Sequence, residues 1–144
     1  GWFGVRSLPE PREDEHGIVA GPRDYIFAAT ERWMNPKGRG RQHGIDGWRL
    51  DVAFCVGHPF WKAWRAHVKR LNPEAYLTAE IVDVAEKVVP YMQGDEFDSE
   101  MNYNFLFTAV EFFVDPAPQR IGANEFDAKL RALRELYPPG VAET

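Results

Sequence analysis

Two short segments constrain the fold more than anything else in the chain. Gly47-Trp48-Arg49-Leu50-Asp51-Val52-Ala53 and Ala75-Tyr76-Leu77-Thr78-Ala79-Glu80-Ile81 both read as short buried strands, and each closes on a carboxylate. Side chains two apart on a strand point the same way. Arg49 and Asp51 therefore share one face, with Trp48, Leu50 and Val52 on the other, and Glu80 shares a face with Thr78. Between the two segments, Phe60, Trp61, Trp64, Val68 and Leu71 recur at helical spacing over 59–71. A strand, a helix and a second strand joined in this way pair in parallel through a right-handed crossover.

The remaining elements extend the alternation. Residues 1–21 are rich in Gly, Pro and charge and read as loop; Gly21-Pro22 opens a helix that stops near Asn35-Pro36. The basic stretch 35–44 reads as a solvated loop. It lacks the Gly-x-x-x-x-Gly-Lys-Ser/Thr pattern and the third glycine that phosphate cradles use. A helix is expected over 83–92, a less regular strand over 98–103, and a helix over 105–114 that is apolar almost all round and so should be largely buried. A last helix runs from about Asn124 to Tyr137, before Pro138-Pro139. The fold class is α/β, with parallel strands and outer helices.

Composition excludes several functions. A net charge of −5 argues against nucleic acid as partner. No apolar run approaches the ~18 residues that span a bilayer, so no membrane partner is expected. Cys55 stands alone, which excludes an internal disulfide and a cysteine metal site. His16, His43 and His67 lack ligand spacing, so no metal is assigned. Aromatics make up 14% of the chain, which suits a thick core and also a site that stacks sugar rings. The chain starts at Gly1 and holds 144 residues, roughly half the ~250 of an eight-fold barrel. It is expected to be a piece of a longer protein. By itself such a piece, with open sheet edges, is expected to be inactive and prone to aggregate.

Asp51 and Glu80 lie 29 residues apart, one strand–helix repeat. Parallel neighbours put both acids at one rim, on strands about 4.8 Å apart. The carboxylates can then approach to about 5–5.5 Å, the separation of a retaining glycosidase. Arg49 favours the anionic form of Asp51, as a nucleophile requires. Glu80 has no cation near it in sequence and has apolar neighbours, which suits a general acid. The competing reading is a structural Arg49–Asp51 ion pair with Glu80 as an ordinary rim residue.

These residues also resemble a known family. Gly-Ile-Asp-Gly-Trp-Arg-Leu-Asp-Val-Ala (44–53) is similar to the fourth-strand motif of the α-amylase superfamily, glycoside hydrolase family 13, and Leu-Thr-Ala-Glu-Ile (77–81) resembles its fifth-strand motif. Ser7-Leu8-Pro9-Glu10 resembles the short extra motif of the neopullulanase and cyclomaltodextrinase group. The stretch from Gln93 through Met101-Asn102-Tyr103 resembles that group's sixth-strand region. The four segments stand in the family's order.

The resemblance implies that residues 1–144 are the central part of a (β/α)8 barrel, from about the fourth strand to the helices after the sixth. It implies Asp51 as nucleophile, Arg49 as the residue that holds it and contacts sugar, and Glu80 as acid/base. The implied activity is retaining hydrolysis of α-1,4 or α-1,6 glucosidic bonds in maltodextrins or cyclodextrins. Transfer to a second sugar, or a non-catalytic binding relative, are the alternatives. The family's third-strand motif would lie before Gly1, and the seventh-strand motif, with the third carboxylate, beyond Thr144. No cofactor is implied, and any calcium ligands would lie outside this chain.

The chain departs from the family at three places. Phe54 and Cys55 stand where many relatives have Asn and an acid, and Val82 stands where neopullulanase-like enzymes often have Trp. Five further residues belong to the candidate set. His58 either contacts substrate or caps the helix at Pro59. Asn102 and Tyr103 end the third strand and either line the cleft or pack. Glu10 is a rim acid, and Asp46 holds the loop entering the first strand.

Overall fold

The computed structural model describes residues 4–139 and 141. The chain divides into two compact units, Gly1–Trp48 with Cys55–Tyr76 and Arg49–Phe54 with Leu77–Thr144.

The first unit packs α1 (Pro22–Met34) against α2 (His58–Leu71). Pro22 sits in the first turn of α1, where its missing N–H costs nothing. The seam carries polar contacts at two places: His67 Nε2 of α2 lies 3.3 Å from Glu31 Oε1 of α1, and a hydrogen bond ties Trp64 to Thr30. Trp64 Nε1 donates to Thr30 Oγ1 at 2.9 Å, and that hydroxyl donates to the Ile26 carbonyl at 2.9 Å. Around it Met34, Phe60, Trp61, Trp64 and Val68 are buried, four of the five residues expected on the inner face of α2 among them. Residues 1–21 are not loop throughout. β1 (Glu13–Asp14) and β2 (Gly17–Ile18) form a small antiparallel hairpin. Both Glu13 carboxylate oxygens lie 3.2 Å from the Gly57 N–H. Glu13 therefore supplies, from a distant part of the chain, the anion that the glycine at the start of α2 lacks. The basic stretch forms two short 3-10 turns, Pro36–Gly38 and Arg41–His43, with no buried residue. Beyond them the chain returns across the end of α1, where a Cβ on Gly44 would stand 1.9 Å from the Met34 carbonyl oxygen. Only glycine allows that approach.

In the three-stranded sheet β3 (Gly47–Leu50), β4 (Tyr76–Ala79) and β5 (Ser99–Glu100) are neighbours in that order, and the second unit holds all of it but Gly47, Trp48 and Tyr76. β4 and β5 are parallel, with Thr78 opposite Ser99 and Ala79 opposite Glu100. The Glu80 N–H donates to the Leu50 carbonyl at 2.9 Å, and the Ala53 N–H to the Glu80 carbonyl at 3.0 Å. Leu77, Ala79, Ile81, Val88, Met92 and Phe97 form its core. The expected helix over 83–92 splits into α3 (Ala85–Val88) and a 3-10 turn (Val89–Met92), because Pro90 has no N–H to continue the ladder.

α4 (Tyr103–Phe113) overturns one expectation. Phe105, Leu106, Phe107 and Phe113 are exposed, the last by 67%, and Thr108 is its one buried residue. Its contact is with α5 (Ala123–Leu136), where Phe112 stacks on Phe126 at 4.5 Å. A single partner helix covers one stripe, so the other apolar sides stay uncovered among the described residues.

Glu100 on β5 accepts from the Tyr137 hydroxyl at 3.1 Å, while its buried Oε2 has no partner. Burial raises the Glu100 carboxyl above the ordinary 4.5. Burial first, then the neighbouring Glu100, pushes the Tyr137 phenol well above its usual value. A carboxyl raised in the folded state binds its proton more tightly there. Its contribution is full below pH 4.5 and is lost as pH rises through the raised value. Glu100→Gln should therefore raise stability at neutral pH and flatten its decline above pH 4.5, as urea melts at several pH values would show.

Candidate active site

Asp51 and Glu80 are each the first residue past a strand, on β3 and β4 respectively. The strict alternation expected through Val52 stops at Leu50: Asp51 and Val52 form a turn, with Val52 at φ 46°. A β-branched residue in that region is strained by about 1–3 kcal/mol. The strained turn points the Val52 N–H at Glu80 Oε2, 2.9 Å away.

Arg49 joins the two acids. Its Nη1 donates to Asp51 Oδ1, its Nη2 lies 2.6 Å from Glu80 Oε1, and its Nε donates to Met101 Sδ at 3.3 Å. The expectation that Glu80 lacks a cation is thus corrected. Arg49 precedes Asp51 by two residues in sequence, yet it is equally a neighbour of the next strand. Acceptors on the two terminal nitrogens of one guanidinium lie within about 8 Å of each other by bond lengths alone. One guanidinium therefore contacts both carboxylates at the ends of neighbouring strands.

Their surroundings differ. The Glu80 side chain is 16% exposed and that of Asp51 74%. Glu80 Oε1 also accepts from the Tyr103 hydroxyl at 3.3 Å. The hydrogen bond to Asp51 raises the Arg49 pKa, so it stays a cation. Burial, then the charge on Glu80, raises the Tyr103 phenol, so at neutral pH it remains a proton donor to the carboxylate.

Asp51, Glu80, Arg49 and Tyr103 are thus brought together. Asn102 and His58 stand at the starts of helices. Asn102 adopts the left-handed conformation, φ 41°, and its Oδ1 accepts the Phe105 N–H at 3.1 Å as the cap of α4. His58 belongs to the first unit. It is the first residue of α2, with Gly57 in the cap position that the sequence reading had offered to His58. Asp46 accepts the Tyr76 N–H at 3.0 Å through its carbonyl, tying the entry of β3 to that of β4. Glu10 is exposed. Val52 and Met101 are contacts the sequence reading missed. Nothing in a valine signals positive φ, and Met101 read as part of a strand.

Residues 23–136 match the family described as Alpha amylase, catalytic domain. The chain belongs to the α-amylase family. A neopullulanase 2 of Thermoactinomyces vulgaris is 42% identical over 139 residues, covering 96% of this chain and 21% of the relative. A cyclomaltodextrinase of a Bacillus species is 34% identical over 161 residues, covering 99% and 26%. Among solved structures, the Nostoc punctiforme debranching enzyme has a TM-score of 0.73 at 32% identity, covering 96% of this chain and 28% of that one. The Arthrobacter globiformis cyclic α-maltosyl-(1→6)-maltose hydrolase, in complex with that sugar, has a TM-score of 0.72 at 30% identity, covering 85% and 25%. This α-amylase family chain spans about a quarter of the length of the relatives it matches.

The cap also positions the site, because α4 begins with Tyr103. Asn102→Ala should cost about 1 kcal/mol, while Asn102→Asp keeps the cap and most of the stability. Denaturant melts of the two variants check this.

Proposed function

We propose that the chain is the central part of a (β/α)8 barrel and carries two catalytic carboxylates of a retaining α-glucan hydrolase. The observation that carries the reading is Arg49 between Asp51 and Glu80 at the ends of neighbouring strands. The family membership and the names of the relatives support the substrate class, linear or cyclic maltodextrins.

The exposed carboxylate is the nucleophile. Asp51 attacks the anomeric carbon as the bond to the leaving oxygen breaks. Glu80 gives its proton to that oxygen, so a sugar hydroxyl leaves and a glycosyl ester on Asp51 remains. Glu80, now a carboxylate, takes a proton from water. The water oxygen attacks the anomeric carbon, and the bond to Asp51 breaks with overall retention. A sugar hydroxyl in place of water gives transfer by the same second step.

Three donors reach Glu80, from Arg49, Tyr103 and the Val52 N–H, and they fit the hydrogen-bonding needs of its role as base. When Glu80 carries a proton, its O–H can donate a hydrogen bond to the Tyr103 oxygen. Arg49 screens the repulsion between two acids that share one sugar carbon. The reaction as written needs no cofactor. The resemblance implies a third carboxylate from a seventh-strand motif outside residues 1–144.

Two variants of the whole protein test this. Glu80→Gln should lower kcat/KM on maltodextrin about 10²- to 10⁴-fold, and far less on α-maltosyl fluoride, whose leaving group needs no proton. Asp51→Asn should abolish turnover of both substrates. NMR of the first-formed wild-type product should show the α-anomer; a β-anomer would exclude the double displacement. Separately, Arg49→Lys should lose activity by about 10²-fold or more, since one ammonium cannot hold both acids in fixed geometry. Steady-state kinetics on the same substrates measure it.

A further inference from the structure

Arg49 makes a third contact that the two acids do not explain. Its Nε donates to Met101 Sδ at 3.3 Å. Met101 is the first residue past β5, as Asp51 is past β3 and Glu80 past β4. Equivalent backbone bonds mark the position on neighbouring strands. The Glu80 N–H donates to the Leu50 carbonyl at 2.9 Å, and the Met101 N–H to the Ala79 carbonyl at 3.0 Å. Three strand ends in a row therefore each offer one acceptor, and the nitrogens of a single guanidinium take one each. All four residues belong to the second unit, so the arrangement needs nothing from the rest of the protein.

The third contact removes a freedom that two leave open. A planar group held at two atoms can still rock about the line that joins its acceptors. Nε lies off the line of Nη1 and Nη2, so an acceptor there stops that rotation. Without it the guanidinium can tilt while it keeps hold of both carboxylates, and their mutual geometry loosens. The kind of acceptor matters as well. A carboxylate at this strand end would set three anions against one cation and compete with Asp51 and Glu80 for it. A thioether accepts a hydrogen bond weakly and carries no charge. The sulfur is also placed by the same turn that serves Glu80. Asn102 follows at φ 41° and caps α4, and the next residue, Tyr103, donates to Glu80 Oε1 at 3.3 Å.

We propose that Met101 is a positioning residue for the reaction: its sulfur holds Arg49 Nε and so fixes the plane of the guanidinium between Asp51 and Glu80. That the two acids react rests on the proposed function; the hold on Arg49 does not.

The test uses the whole protein. Met101→Leu keeps the volume and removes the acceptor. It should lower kcat on maltodextrin about three- to tenfold, the worth of one hydrogen bond, with KM unchanged. In an Arg49→Lys background the same change should cost nothing further, because lysine has no Nε–H to hold. A loss of equal size in both backgrounds overturns the proposal, since packing would then be the cause. Full activity of Met101→Leu overturns it too, as does a rise in KM at unchanged kcat. A second readout is independent of turnover. The Arg49 Nε–H resonance, identified by its absence in Arg49→Lys, should exchange with water faster in Met101→Leu; an unchanged rate also overturns the proposal. Should Asp51→Asn and Glu80→Gln both remain fully active, the catalytic reading fails, while faster exchange still upholds the hold of Met101 on Arg49.

Discussion

One guanidinium organises the catalytic candidate. Two carboxylates at neighbouring strand ends repel each other, and the strands alone offer nothing to hold them at a common point. Arg49 gives one nitrogen to Asp51 and the other to Glu80, and its third meets Met101. A planar fork can do this; a point charge cannot. The arrangement depends on register. The Glu80 N–H on the Leu50 carbonyl, and the Ala53 N–H on the Glu80 carbonyl, fix which residues leave the sheet side by side. A slip of one residue would turn either acid to the other face.

The two acids are not equivalent within that frame. Glu80 lies in a nest of three donors and is mostly covered, whereas Asp51 stands out from the rim. A general acid/base benefits from fixed partners that follow its changing charge. A nucleophile must be able to reach carbon. Under the proposed roles the strained turn at Val52 would serve both needs, because it ends the strand at Leu50, leaves Asp51 exposed and lends its N–H to Glu80.

Much of this was legible in the sequence. The helix, strand, helix, strand, helix, strand, helix, helix order holds, since apolar periodicity and the Pro and Gly breaks act locally. The hairpin at Glu13–Ile18 was not legible, because two-residue strands carry almost no pattern. The exposure of α4 was not legible either. Its composition states that it wants partners, and only the three-dimensional arrangement says that α5 covers a single stripe. Asn102 reads from the sequence as either a cleft residue or a packing residue, and in the structure its carboxamide caps a helix. A polar side chain in a turn has several partners within reach, and local sequence does not rank them.

The amino-acid sequence determined that Asp51 and Glu80 would each close a strand, one repeat apart, with Arg49 two residues before the first. Strand period and helical spacing are properties of neighbouring residues, and they need no knowledge of the rest of the chain. Only the tertiary structure decided that Arg49 would bond to both acids, that Tyr103 would reach Glu80 across 23 residues, and that Val52 would turn back upon it. Those contacts join segments far apart in the chain, and their partners are chosen by packing and sheet register rather than by any local preference.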